Sequence, residues 1–420
     1  MTRTTQAVQA AALAGAVALV LTACGSDDGG SGSGETSGEG ASGPLIVGTL
    51  LPQTGTLAYL GPPEIAGVDL AVEEINEAGG VLGEDVQVEH ADSSDADHAE
   101  VATQSVTDLI SKDVQVIIGA ASSSVTLNVI DDITGSEIVQ ISPANTATSL
   151  SGYSDFYFRT APPDTVQGAA LGNLIASDGH ANVGFLVFND DYGTSLRDVV
   201  KSTVEEAGAT VVYGNEGEEF DPAASSFATD VTALMATSPD AIVVLAFEQT
   251  KQIIPELVAA GADPASIYMV DGNTADYSAD FQPGTLEGAQ GTIPGAFPSD
   301  EFQERLKGVN PDLQDYAYGP ESYDATILAA LAAVKGGATD GPTIQANLAA
   351  VSGADGGEEC TSFADCVELI DAGEDIQYVG QAGIGPFNED NDPASAFIGV
   401  YQYGADNKNT WVEAVEGEVG

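Results

Sequence analysis

Between residues 44 and 161, short apolar runs alternate with amphipathic stretches, and from residue 162 the same alternation begins again. "PLIVGTLLP" (44–52) reads as a buried strand ending in a turn. "EIAGVDLAVEEINEAGG" (64–80) follows, with Ile65, Val68, Val72 and Ile75 on one helical face and Glu73, Glu74 and Glu77 on the other. Gly79 and Gly80 then punctuate its C-terminal end. "EDVQVEHAD", "DVQVIIGA" and "EIVQISPA" read as further strands, separated by the helical stretches "DHAEVATQSVTDLIS" and "SSVTLNVIDDIT". After "DFYFRTAPPD" (155–164) the pattern restarts, with strands "ANVGFLVFND", "ATVVYG", "DAIVVLAF" and "SIYMVDG" between helical segments. Strand–helix alternation at short loop lengths requires βαβ units and a parallel sheet. The expected fold is therefore α/β, with two doubly wound parallel-sheet lobes. "GTIPGAFPS" (291–299) reads as a second crossing between them, and the region of "IQYVGQAGIGPF" (376–387) as a third. The expected N-terminal lobe is 44–161 with 292–378, and the C-terminal lobe 162–291 with 379–420. Three crossings make a hinge, and the lobes enclose a cleft.

The residues before this body read as export and anchoring. Arg3 precedes the apolar run "AVQAAALAGAVALVL" (7–21), which is too short for a typical membrane span. "LTAC" ends at Cys24, and small residues before a cysteine after such a run match a bacterial lipobox. The expectation is a signal peptide over 1–23, lipidation at Cys24, and a Gly/Ser/acidic tether to residue 43 with a reach of roughly 24 Å. In an exported chain Cys360 and Cys366 of "ECTSFADC" read as a disulfide, since no histidine lies nearby to favour a metal. The 65 Asp and Glu against 10 Lys and Arg exclude nucleic acid as a partner, because neutralising phosphates requires basic residues. The acids are dispersed, as on a surface kept soluble at high salt.

In open α/β sheets ligands sit beyond the carboxyl ends of strands. The residues at those ends fall in 53–59, 120–124, 142–146, 189–192, 247–248 and 271–272. "IIGAASSSVTLNVI" (117–130) places Ser122, Ser123 and Ser124 where a strand gives way to a helix, and free N–H groups there can seat a carboxylate. Ser123 is equally a candidate helix cap, and the two roles do not compete. A serine hydrolase is disfavoured: His90, His98 and His180 are scattered away from strand ends, and no G-x-S-x-G elbow is present. No P-loop occurs either. Asp271 on the second lobe could face a cation, so the two lobes together could clamp a zwitterion. Tyr59, Tyr192 and Phe247 could wall the site.

"VGTLLPQTGTLAYLGPPEIAGVDLAVEEINEAGGV", "IIGAASSSVTLNV", "ISPANTAT", "FYFRTAPPD" and "FNDDYG", followed by "SPDAIVVLAF" and "YMVDG", together resemble the branched-chain amino acid-binding proteins of ABC transporters. The likeness runs from about residue 45 to about 390. It implies the type I periplasmic-binding fold, no enzymatic activity, no cofactor and no metal. It implies that Ser123, with Ser122 beside it, Ala144 through its backbone, and Thr146 hold a ligand carboxylate. Asp271 then takes the α-ammonium, and Tyr59, Tyr192, Phe247 and Tyr318 make aromatic contacts. Asn145 stands where a small residue is common and joins the candidate set. The implied protein is a monomeric, lipid-anchored receptor on the outer face of the cytoplasmic membrane. It would deliver a small ligand, an amino acid of branched-chain type, to an ABC permease. The alternatives are a sensor passing its closed form to a signalling partner, or a receptor for an amide, urea or an aromatic acid.

Overall fold

The computed structural model describes residues 43–419, so the expected signal peptide, the lipidation site Cys24 and the tether before Gly43 lie outside the described residues. The first sheet holds β1 (Ile46–Leu51), β2 (Gln87–Asp92), β3 (Val116–Gly119), β4 (Val139–Ser142) and β5 (Tyr157–Arg159). Its order is β2-β1-β3-β4-β5 with every pairing parallel. The crossovers are α1 (Gly61–Glu77), α2 (Ala99–Ser111) and α3 (Ser123–Thr134). Apolar clusters line both sheet faces, one including α1 residues Val68, Val72 and Ile75 and the other including Val106, Val125 and Val129. That is why β1, β3 and β4 are almost wholly buried runs rather than alternating ones.

The second sheet repeats the order. It contains β6 (Asn182–Val187), β7 (Thr210–Tyr213), β8 (Ala241–Leu245), β9 (Ile267–Met269) and β10 (Gln290–Pro294), arranged β7-β6-β8-β9-β10 and parallel throughout. Helices α4 (Asp164–Ser177), α5 (Asp191–Glu206), α6 (Ala228–Ala236) and α7 (Thr250–Ala259) connect it. The chain then returns to the first lobe as α8 (Asp300–Val309), α9 (Gly319–Gly336) and α10 (Gly341–Ser352). Helix α9 packs along α1, where a Cβ on Gly67 would stand 2.2 Å from the Gly319 carbonyl oxygen; only glycine permits that approach. A small parallel pair, β11 (Glu358–Cys360) and β12 (Ile376–Tyr378), flanks α11 (Phe363–Ala372). The disulfide between Cys360 and Cys366 staples this unit, with Cα atoms 5.3 Å apart.

Three features differ from the sequence expectation. Strand β10 runs to Pro294 within the second sheet, so the second crossing begins after 294 rather than at 292. The tail adds an antiparallel hairpin, β13 (Ser395–Tyr403) and β14 (Asn409–Glu418), beside β10, so the second sheet is mixed. On α1, Ile65 is only half-buried and its neighbour Glu64 is fully buried instead, with neither carboxylate oxygen hydrogen-bonded.

The strand ends of both sheets face one cleft, and the cleft is closed. Leu57, Leu60, Ala121, Ala144 and Tyr318 from the first lobe belong to the same apolar cluster as the second lobe's core. Polar contacts cross it as well: Thr148 N–H donates to Ser195 Oγ at 3.0 Å, and the Tyr59 hydroxyl donates to the Gly272 carbonyl at 2.9 Å. At the edge of the first sheet, the buried Arg159 guanidinium forms a bidentate pair with Asp392 (2.6 and 2.7 Å) and also donates to Ala147 O and Ser151 Oγ. It thereby ties the strand before the first crossing to the segment after the third.

Candidate functional site

The three serines divide their work. Ser122 is the N-cap of α3: its backbone is extended and its Oγ accepts the Val125 N–H at 3.3 Å. The cap is therefore Ser122, one residue before the position favoured from sequence, because Ser123 is already inside the helix. Ser123 Oγ instead accepts the Ala147 N–H at 3.3 Å, which joins the β3 and β4 loops. Ser124 reaches the other lobe, with its Oγ 2.7 Å from Asp190 Oδ2 and 2.9 Å from Asp191 Oδ2. One hydroxyl proton serves two carboxylates there. Burial pushes the Asp190 carboxyl up, and the Ser124 hydrogen bond opposes that shift.

Asp271 sits just past the end of β9 with both carboxylate oxygens engaged. Its Oδ1 accepts from the Tyr192 hydroxyl and, at 2.9 Å, from Gln167 Nε2; its Oδ2 accepts from the Tyr318 hydroxyl at 2.6 Å. Burial raises the Asp271 pKa, and these donors offset part of the rise. Tyr318 comes from the first lobe and adopts a left-handed backbone (φ 60°) at the start of α9, a costly conformation for a bulky residue that aims its ring across the cleft. Tyr192 stacks on Phe247 with ring centroids 5.6 Å apart. Gly272 makes room for that stack: a Cβ there would lie 2.8 Å from the Phe247 ring.

Next to Asp271 lies a group of buried polar atoms without partners. Asp164, at the start of α4, is fully buried and neither carboxylate oxygen is hydrogen-bonded. Gln167 Oε1, one turn further on, and Thr146 Oγ1 are also unpartnered. Burial pushes the Asp164 carboxyl up to about 7; the nearby Ser195 and Thr146 hydroxyls pull the other way, and the charge of Asp271 adds to the rise. The hydroxyls lie close without completing hydrogen bonds of normal geometry. Unsatisfied groups of this kind are rare in folded proteins and call for an explanation.

Of the residues expected from sequence, Ser122, Ser123, Ala144, Asn145, Tyr192, Phe247, Asp271 and Tyr318 line one inner cavity of about 20 Å³, room for a single water. Tyr59 lines a neighbouring chamber of about 520 Å³. Thr146 is buried behind the inner cavity. The Asn145 side chain is committed to the scaffold: its amide donates to Ala120 O and Thr126 Oγ1, and its oxygen accepts from Tyr157. The Ala144 N–H makes a long bond, 3.4 Å, to Ser142 Oγ. Sequence reasoning missed Asp164, Gln167 and the cross-lobe role of Ser124. The only trace of Asp164 was an acid after two prolines, which reads as an ordinary first-turn residue. Among the described residues no group of three or more His, Cys, Asp or Glu is placed to hold a metal ion. Among the same residues no helix is long and apolar enough to cross a membrane.

A family profile described as "Periplasmic binding protein" matches residues 44–366. The chain is 28% identical over 357 residues to the chemotactic signal transduction system substrate-binding protein BasB of Halobacterium salinarum, covering 81% of this chain and 82% of that one. In structure it is similar to a leucine-binding protein from Thermotoga maritima (TM-score 0.73, 19% identity, 88% of this chain and 98% of the other). It is also similar to an R. palustris solute-binding protein in complex with 4-hydroxybenzoate (TM-score 0.72, 16% identity, 90% and 98%).

Proposed function

We propose, from the premise that this chain belongs to the periplasmic binding protein family, that it captures a small α-amino acid as the zwitterion and closes its two lobes on it. The closed, loaded form is then handed to an ABC permease. Cys24 carries the lipid that keeps the receptor at the outer face of the cytoplasmic membrane. Members of this family bind solutes and do not transform them, and the arrangement here fits that role, since Ser123 Oγ accepts the Ala147 N–H and no histidine or lysine lines the cavity beside it.

The unpartnered Asp164 carboxylate carries the reading. Asp271 already accepts three hydrogen bonds, whereas Asp164, Thr146 Oγ1 and Gln167 Oε1 have capacity to spare. An ammonium ion has three donors and one positive charge to set against these acids. Across the cleft, the start of α3 offers N–H groups and the Ser123 hydroxyl to a carboxylate, with the Ser122 hydroxyl engaged as the helix cap. The inner cavity has no Lys, Arg or His in its lining, and the nearby Arg159 is fully engaged by Asp392, Ala147 and Ser151. A ligand that is only an anion, such as an aromatic acid, would meet the Asp271 carboxylate in the lining, with the Asp164 charge close behind it, and no cation. Leu57, Leu60, Tyr192 and Phe247 suit an aliphatic side chain, so branched-chain amino acids are the first candidates.

The test is a thermal-shift screen of the twenty amino acids, urea, short amides and aromatic acids. Ligand that binds only the folded state raises the melting temperature by mass action. Leucine, isoleucine and valine should raise it. A shift with aromatic acids or urea and none with amino acids overturns the zwitterion reading. A second reading, a sensor that presents its closed form to a signalling partner, draws support from the similarity to the chemotactic substrate-binding protein of Halobacterium. Co-purification with a permease or with a transducer separates the two.

A further inference from the structure

In the closed cleft, Ser124 of α3 stands against the start of α5, where Asp190 is half-buried and Asp191 exposed. Its Oγ lies 2.7 Å from Asp190 Oδ2 and 2.9 Å from Asp191 Oδ2, and it accepts the Asp191 N–H at 3.3 Å. A hydroxyl has one proton to give and two lone pairs to offer. With both carboxylates ionised, one of the two short oxygen–oxygen contacts has no proton in it. The three contacts are complete only when one acid is protonated. That acid then donates to Ser124 Oγ, and Ser124 donates to the other acid.

The surroundings hold no free cation that could replace the proton. Asp190 shares a small cavity of about 30 Å³ with Asp95 and Asp97 of the first lobe, and no Lys, Arg or His lines it. The lining also includes Gln249, whose amide is committed to the Phe247 N–H and Pro222 O. His98 is bound to Asp95 at 2.7 Å, and Arg197, further along α5, is held by Asp198, Glu219 and Gly214 O. Asp190 is the acid that keeps the proton. Burial raises its pKa, the bonds from Ser124 and the Tyr192 N–H oppose the rise, and the Asp191 charge adds to it. Asp191, open to water, is the acceptor.

We infer that closing the cleft takes up one proton, which Asp190 donates to Ser124 Oγ while the Ser124 hydroxyl donates to Asp191, so that the three residues form a latch that tightens in acid. The inference concerns closure and does not depend on which ligand the cleft holds. In the open form the first lobe is withdrawn, and Asp190 returns to water and the ordinary carboxylate range. A group that holds its proton more tightly closed than open favours closure at low pH. That contribution is complete below the open-form value, about 4, and is lost as pH rises through the raised closed-form value. The substitution Asp190→Asn mimics the protonated acid: the amide nitrogen donates to Ser124 Oγ, and the amide oxygen keeps the Tyr192 N–H that caps α5.

Trapping the empty closed form tests this without a ligand. Thr148 and Ser195 meet across the cleft with their hydroxyl oxygens 3.3 Å apart, so the pair Thr148→Cys/Ser195→Cys can be oxidised to a disulfide only when the lobes close. The trapping rate is measured from about pH 5 to about pH 8, above the ordinary carboxylate range, with an oxidant active in mild acid. Three proteins are compared: the cysteine pair alone, the pair with Asp190→Asn, and the pair with Asp190→Asn/Ser124→Ala. At each pH the ratio between them cancels thiol reactivity and the titration of Asp164. At the highest pH, Asp190→Asn is expected to trap several-fold faster than the pair alone, with the ratio shrinking as pH falls. Adding Ser124→Ala is expected to remove the advantage. Equal rates at every pH overturn the inference, and so does a ratio indifferent to pH. An advantage that survives Ser124→Ala overturns it too, because relief of like-charge repulsion alone then accounts for the gain. No cross-link in any of the three overturns the closed contact on which the latch rests.

Discussion

Replacing Asp164 with asparagine separates the stability of the empty protein from its function. The Asp164 carboxyl is raised from its ordinary 3.8 to about 7 by burial. An acid whose folded pKa lies above its unfolded value binds more protons folded than unfolded between the two. The folded state therefore loses stability as pH rises from about 4 to about 7, and the loss is complete above that. A shift of about 3 pK units, at about 1.4 kcal/mol each, sets the loss at about 4 kcal/mol. Asparagine carries no charge, so Asp164→Asn should abolish this part of the pH slope. In the closed form the ligand-free variant should then be more stable than the parent by about 2–4 kcal/mol at pH 8, an upper bound for the empty protein because opening the cleft relieves the burial of Asp164, and the two should converge near pH 4. Urea unfolding at a series of pH values checks this, and the difference between variant and parent cancels contributions from other raised acids such as Asp324. The same variant should bind leucine at least tenfold more weakly, because the ammonium loses its counter-charge. Parallel pH profiles for variant and parent would refute the reasoning, and so would a variant that binds leucine as well as the parent does.

The serine loop and the aromatic stack give two further expectations. Ser122→Ala removes the α3 cap and should lower stability by about 1 kcal/mol with little effect on affinity beyond that. Ser123→Ala leaves the buried Ala147 N–H unpaired, at about 1–3 kcal/mol, and should also weaken leucine binding; denaturation and titration of both variants side by side distinguish cap from seat. Gly272→Ala would push a methyl to 2.8 Å from the Phe247 ring, so it should cost about 1–3 kcal/mol and impair ligand-dependent closure, read as loss of the thermal shift.

The sequence carried the strand–helix alternation because each buried strand is a continuous apolar run bounded by turn residues, and the strand ends, hence the cleft, followed from it. The antiparallel hairpin β13/β14 was hidden for the opposite reason. Strand β14 is exposed along nearly its whole length, so "NTWVEAVEGE" offers no apolar periodicity to read. Local capping was misplaced by one residue because Ser122, Ser123 and Ser124 are chemically identical in sequence. Which of them has an extended backbone, and which faces Asp190, depends on how the two lobes meet. Asp164 and Glu64 were missed as inward-facing groups because an acid at a helix start is ordinary by composition. Its burial is a property of the partner lobe or the packed α9 helix, not of neighbouring residues.

Closure poses an energetic question that the geometry helps to answer. Four first-lobe residues, Tyr59, Ser124, Thr148 and Tyr318, already bond to the second lobe, and first-lobe apolar side chains share its core cluster. None of these contacts requires a ligand. If they acted alone, the closed form would persist empty, and a ligand shifts a two-state equilibrium only by its difference in affinity for the two states. Asp164 opposes them. Buried and unpartnered, it penalises the empty closed form at neutral pH, and a ligand ammonium removes that penalty only when both lobes surround it. The contacts across the cleft thus bring closure close to balance, and the uncompensated acid makes the balance depend on the ligand. Asp164→Asn should accordingly populate the closed form without ligand, visible as a smaller radius of gyration for the empty variant than for the empty parent in solution scattering. An unchanged radius in the variant would mean that something other than Asp164 holds the empty cleft open.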